Sequence, residues 1–169
     1  MARSKHYRRQ SLFFVVQSLL AKIAADPNAD VKLFAAVAIG FVLSNDPEQC
    51  MQHMEMLVEH FHDHVRYGAT IASGIACASS SRRDVVTLLE SMLSALESFV
   101  HQEAAIALLF VLIQQSEATC PKVGKYHKTL TEMITVKGED SSTKNGAIVA
   151  QGILHTGGRN VIMSLRNRT

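Results

Sequence analysis

VRYGATIASGIAC, residues 65–77, decides how the rest of the chain is read, because three other stretches repeat its spacing. VKLFAAVAIGFVL at 31–43, VHQEAAIALLFVL at 100–112 and TKNGAIVAQGILH at 143–155 align with it without a gap. With each first residue counted as position zero, position 4 is Ala35, Ala69, Ala104 and Ala147, and position 7 is Ala38, Ala72, Ala107 and Ala150. Position 6 is always Val or Ile, and position 9 is Gly40, Gly74, Leu109 and Gly152. The starts lie 34, 35 and 43 residues apart, so the last unit carries an insertion. Self-similarity at such a period marks a repeat array.

Each aligned segment is apolar nearly all round, the pattern of a helix covered on several sides. The stretch after it is amphipathic. Val85, Leu88, Leu89, Met92, Leu93 and Leu96 form an i, i+3, i+4, i+7 series with Glu90, Ser94 and Glu97 outside it. Met51, Met54, Leu57, Val58 and Phe61 do the same one unit earlier, and Val123, Tyr126, Leu130, Met133 and Ile134 one unit later. Each unit is therefore expected to be a helical hairpin of an inner helix A and an outer helix B, stacked into an all-α solenoid. The expected units are a basic extension at 1–10, the outer helix of an incomplete repeat at 11–30, repeats at 31–64, 65–99 and 100–142, and a partial repeat at 143–169. Asp46-Pro47 and Thr119-Cys120-Pro121 offer helix starts, residues 138–143 a polar connector, and Thr156-Gly157-Gly158 a helix end. Glycine inside a helix costs about 1 kcal/mol relative to alanine. The position-9 column thus implies close backbone approach between A helices, and Gly74→Leu is expected to overpack it.

Composition supports this. A chain of 169 residues, 47% hydrophobic but only 6% aromatic and without Trp, suits helices packed on aliphatic and small side chains. Lys+Arg 17 against Asp+Glu 15 gives +2, so no overall field draws it to nucleic acid. Cys50, Cys77 and Cys120 have no disulfide-framework spacing, which fits a reducing compartment. No run approaches the roughly 18–20 apolar residues of a membrane span, so no membrane partner is expected. Arg3, Lys5, Arg8 and Arg9 before the apolar run imitate a signal or transit peptide. The stripe Leu12, Val16, Leu19, Leu20 and Ile23 instead describes an ordinary amphipathic helix.

Candidate chemistry is sparse. His60-Phe61-His62-Asp63-His64 has the residue types of a hydrolytic zinc site, but misses the HxHxDH spacing by one residue and falls in the turn between a B helix and the next A helix. A solvated turn is the expectation, with no catalytic residue, no metal and no cofactor. Cys77 reads as a small core residue, and Cys50 and Cys120 lie near B-helix starts without an identifiable base. Met51, Met54 and Met56 read as core filler. Gly152 with Gly157-Gly158 lacks the phosphate-loop pattern. One polar column remains: position 1 is Lys32, Arg66, His101 and Lys144. Cations early in a helix oppose its dipole, so helix stability does not explain them. They are expected to pair with Asp30, Asp63, Glu97 and Asp140 or to meet an acidic partner surface.

The small-residue pattern Ala-x-x-Ala-x-Gly at a period near 35 resembles the proteasome/cyclosome (PC) repeat. HVRYGATIASGIACA at 64–78, TCPKV at 119–123 and NGAIVAQGILHTGGRNVIMSLRNRT at 145–169 are similar to the larger PC-repeat non-ATPase subunit in the base of the 26S proteasome regulatory particle. Leu109 departs from the family's usual Gly, and Ser79-Ser80-Ser81 stands where the family tends to have a glycine-containing turn. The resemblance implies a fragment of a helical toroid, a non-catalytic scaffold in ubiquitin-dependent degradation that joins ATPase ring to lid in cytoplasm and nucleus. The residues alone also admit a generic HEAT or armadillo-like adaptor, and both ends of the array are expected to self-associate through uncovered apolar faces.

Overall fold

The computed structural model describes residues 2–155 except 45, 95–96, 114, 116–117 and 119, with side chains from 11 to 154. The expected Thr119 cap, Leu96, the Thr156-Gly157-Gly158 turn and the C-terminal segment lie outside the described residues. Among the described residues the chain is all helical: α1 (Ala2–Ala25), α2 (Ala29–Val42), α3 (Pro47–Leu57), α4 (Asp63–Ala76), α5 (Arg83–Met92), α6 (Ser98–Leu112), α7 (Lys122–Thr135) and α8 (Ser141–His155). The four aligned segments fall in α2, α4, α6 and α8, and the amphipathic stretches in the helices between them. None of these helices is long and apolar enough to cross a membrane.

Local chemistry sets several boundaries. Asn28 caps α2 by accepting from the Asp30 amide at 2.8 Å, and Asp46 caps α3 through the Gln49 amide, with Pro47 as first helical residue. Pro121 stands just before α7 without a side-chain cap. α8 starts two residues before its aligned segment because Asp140 accepts from the Ser142 amide at 2.8 Å. α3 stops at Leu57, earlier than its apolar series suggests. Phe61 therefore lies beyond the helix and is 78% exposed, not part of the buried stripe, and Met56 also points outward while Met51 and Met54 are buried.

The chain forms two compact units, residues 1–76 and 77–169. In the first, α2 packs on α4, α1 on α2 and α3 on α4. Val16 and Ile23 of α1 are buried, while Leu12, Leu19 and Leu20 are half-buried. In the second, α6 packs on α8, α5 on α6 and α7 on α8, and Tyr126 of α7 donates its hydroxyl to the Ala105 carbonyl of α6. Each unit is thus the same outer–inner–outer–inner succession with its two inner helices in contact.

Candidate interaction site

The seams between inner helices are built from the absence of side chains. A Cβ added at Gly40 would stand 2.7 Å from the Ala72 Cα, and one at Gly68 would stand 2.6 Å from the Leu33 carbonyl oxygen and 2.8 Å from the Ala36 Cβ. In the other unit, a Cβ at Gly146 would meet the Gln102 backbone at 2.8 Å. Gly68 and Gly146 are both position 3, and Leu33 and Gln102 both position 2, so the two seams share one register. The repeat columns missed these glycines. Position 3 runs Phe34, Gly68, Glu103, Gly146, and its alternation emerges only when units are compared two by two.

The predicted columns fall as follows. Ala35, Ala69, Ala104, Ala147, Ala72, Ala107 and Ala150 are buried, and Ala38 is half-buried. Gly40 and Gly74 are buried, and Leu109, in Gly40's place in the second unit, is fully buried. Gly152 is exposed, with nothing within 4 Å of an added Cβ, so no close approach is made there within the described chain. Val31, Phe34 and Phe41 on α2, and Ile148, Val149 and Ile153 on α8, expose large apolar side chains.

The basic column divides between the units. Lys32 is buried to 7% exposure, and Arg66, His101 and Lys144 are half-buried. The Arg66 guanidinium donates to the His60 and Phe61 carbonyls at 2.8 and 3.2 Å, closing the turn between α3 and α4. Of the acids named as pairing candidates, Asp63 takes the His64 ring at 2.8 Å and also feels the charge of Arg66, the Asp30 amide donates to the Asn28 cap of α2, and Asp140 caps α8. The His64 hydrogen bond holds the Asp63 carboxyl below its ordinary range against the opposing effect of burial. The His101 Nε2 is buried and has no hydrogen-bond partner among the described residues.

The His60–His64 turn is an aromatic ladder. His60 stacks on Phe61 at 4.5 Å, Phe61 lies 4.1 Å from His62, and the two imidazoles are 5.6 Å apart. His60 Nδ1 accepts from the His62 amide at 3.1 Å, which commits that lone pair to the backbone. Burial, then the charges of His62, Lys32 and Arg66, hold His60 below the ordinary imidazole range. Among the described residues no group of three His, Cys, Asp or Glu could hold a metal ion. All three cysteines are buried and none is disulfide-bonded; burial pushes the Cys77 thiol up to about 11, away from nucleophilic use.

Paired helical hairpins with glycine and alanine seams define the class as a helical-hairpin repeat protein. No family model matches the chain. It is 48% identical over 153 residues to the 26S proteasome non-ATPase regulatory subunit 1 of Caenorhabditis elegans, and 44% over 155 residues to that of Drosophila melanogaster. It is 39% identical over 152 residues to the 26S proteasome regulatory subunit RPN2 of Saccharomyces cerevisiae. These matches cover 90–91% of this chain but 15–16% of the relatives, so the chain spans about a sixth of their length. It is homologous to one stretch of these subunits, as the resemblance of its repeats implied, and a generic HEAT or armadillo adaptor is not favoured.

Proposed function

We propose that this chain is a non-catalytic scaffold segment of the 26S proteasome regulatory particle, supporting ubiquitin-dependent protein degradation through contacts with ATPase-ring and lid subunits in cytoplasm and nucleus. The observation that carries this reading is identity of 39–48% along nine tenths of the chain with relatives named non-ATPase or regulatory subunits. The paired-hairpin architecture supports it, since such arrays act by presenting surfaces. In this reading the repeats run 31–64, 65–99, 100–142 and 143–169. Lys32, Arg66, His101 and Lys144 meet acidic partner surfaces, and the Ala columns and Gly40 hold the inner helices together.

Affinity purification of the tagged chain from cells, followed by mass spectrometry, tests this reading. Co-recovery of proteasomal ATPases and lid subunits is expected, and an eluate without them overturns it. Charge reversal at the half-buried Lys144, Lys144→Glu, is expected to reduce that recovery, whereas unchanged recovery removes Lys144 from the contact. The uncovered faces of α2 and α8 also drive self-association of the isolated chain. Light scattering at low micromolar concentration should report dimers or larger species; a stable monomer that binds no hydrophobic dye rules this out.

A further inference from the structure

We infer that the cleft between α5 and α7 is a docking pocket for one aliphatic side chain of an acidic peptide segment on another protein. The cleft has a volume of about 240 Å³, with Val86, Leu93, Leu108 and Leu112 among its lining. Pockets for whole drug-sized ligands hold roughly 300–1,000 Å³, so this one suits a single anchor side chain. Its origin is local. α5 ends at Met92 although its apolar series continues, so the outer wall beside the 14-residue α7 is short.

The rim selects the charge of the occupant. Glu90 of α5 reaches across the mouth to Lys122 at 3.0 Å and Lys125 at 3.3 Å, both on α7. Burial pushes the Glu90 carboxyl up, but hydrogen bonds from the two lysines outweigh it and hold it below its ordinary range. Two ammonium groups sharing one carboxylate leave an excess positive charge. Lys125 is 71% exposed on its side chain and makes the longer contact. An incoming carboxylate can therefore take Lys125 while Lys122 keeps Glu90; an incoming cation meets repulsion. An aliphatic group one residue from a carboxylate is what leucine beside glutamate presents, which commits the occupant to an acidic, leucine-bearing segment.

Methyl NMR of the full chain tests this with capped tripeptides. Acetyl-Glu-Leu-Glu-amide is expected to give saturable shifts at Leu93, Leu108 and Leu112, with Glu-Ala-Glu and Lys-Leu-Lys about tenfold weaker or more. Thr129→Trp, which fills the cleft from its half-exposed wall, should abolish the shifts, and Ser94→Trp should do the same from the opposite wall. Lys125→Glu should weaken binding about fivefold. Absence of saturable shifts up to about 10 mM peptide overturns the pocket. So does equal binding of the alanine peptide, or binding that survives both tryptophan substitutions in folded protein. None of these outcomes depends on whether the chain enters the regulatory particle.

Discussion

Gly68 and Gly152 sit in equally helical surroundings and should respond oppositely to one methyl group. At Gly68 the new Cβ would meet the Leu33 carbonyl at 2.6 Å, and backbone cannot rotate away as a flexible side chain could. Gly68→Ala is expected to destabilise by about 1–3 kcal/mol despite its better helix propensity. At Gly152 the space is open, so Gly152→Ala should stabilise by about 0.5–1 kcal/mol. Paired denaturant melts decide this, and the same sign at both sites would sink the seam assignment. The alanine columns were legible in sequence because a seam at fixed register excludes side chains at fixed period. Gly68 and Gly146 were not, because their column alternates. Nor was the stacking of His60, Phe61 and His62, since outside a helix residue spacing does not fix which rings meet. That ladder carries a pH consequence. His60 is held below its ordinary value of 6.5, so the unfolded chain binds its proton more readily, and the contribution is present above pH 6.5 and lost as pH falls through the folded value. Urea melts from pH 7 to pH 5 should show a shallower loss of stability in His60→Gln than in the parent.

Between elements, the turn after α4 carries more order than its serines suggest. Ser79 and Ser81 adopt φ of 57° and 46°, a left-handed conformation that costs most non-glycine residues about 1–2 kcal/mol. Their amides donate to the Phe110 and Val111 carbonyls at 2.8 and 3.2 Å, and the Gln115 amide side chain donates to the Ser79 carbonyl at 3.2 Å. The last carbonyls of a helix have no partner within it, so this turn serves as the cap of α6. Replacing both serines by glycine should raise stability by about 0.5–1 kcal/mol, the relief of strain exceeding the added chain entropy. A lower melting temperature would contradict this. The family resemblance implied a glycine-containing turn here, but the sequence did not reveal the partner helix. The early end of α5 was equally hidden, because apolar periodicity runs on past Met92. The Ser91 hydroxyl donates to the Leu88 carbonyl at 2.6 Å and the Ser94 amide to the Ser91 carbonyl at 3.1 Å. Such local bonds compete with the continuing helix.

At the scale of the molecule, the register shared by the two seams gives the array a parity. Phe34 and Glu103 belong to the first inner helix of a unit, Gly68 and Gly146 to the second, so odd and even repeats are not interchangeable. Transplanting residues 143–155 into the place of 65–77 sets Gly146 where Gly68 meets Leu33, and Ala150 where Ala72 faces Gly40. Transplanting residues 100–112 instead sets Glu103 against the Leu33 carbonyl. The even-for-even chimera is expected to melt near the parent and the odd-for-even one to lose about 1–3 kcal/mol, and equal melting of the two would remove the parity. A lineage that lengthened or shortened such an array would then keep its seams intact by adding or losing repeats two at a time, so that any single-repeat change would require a compensating exchange at position 3.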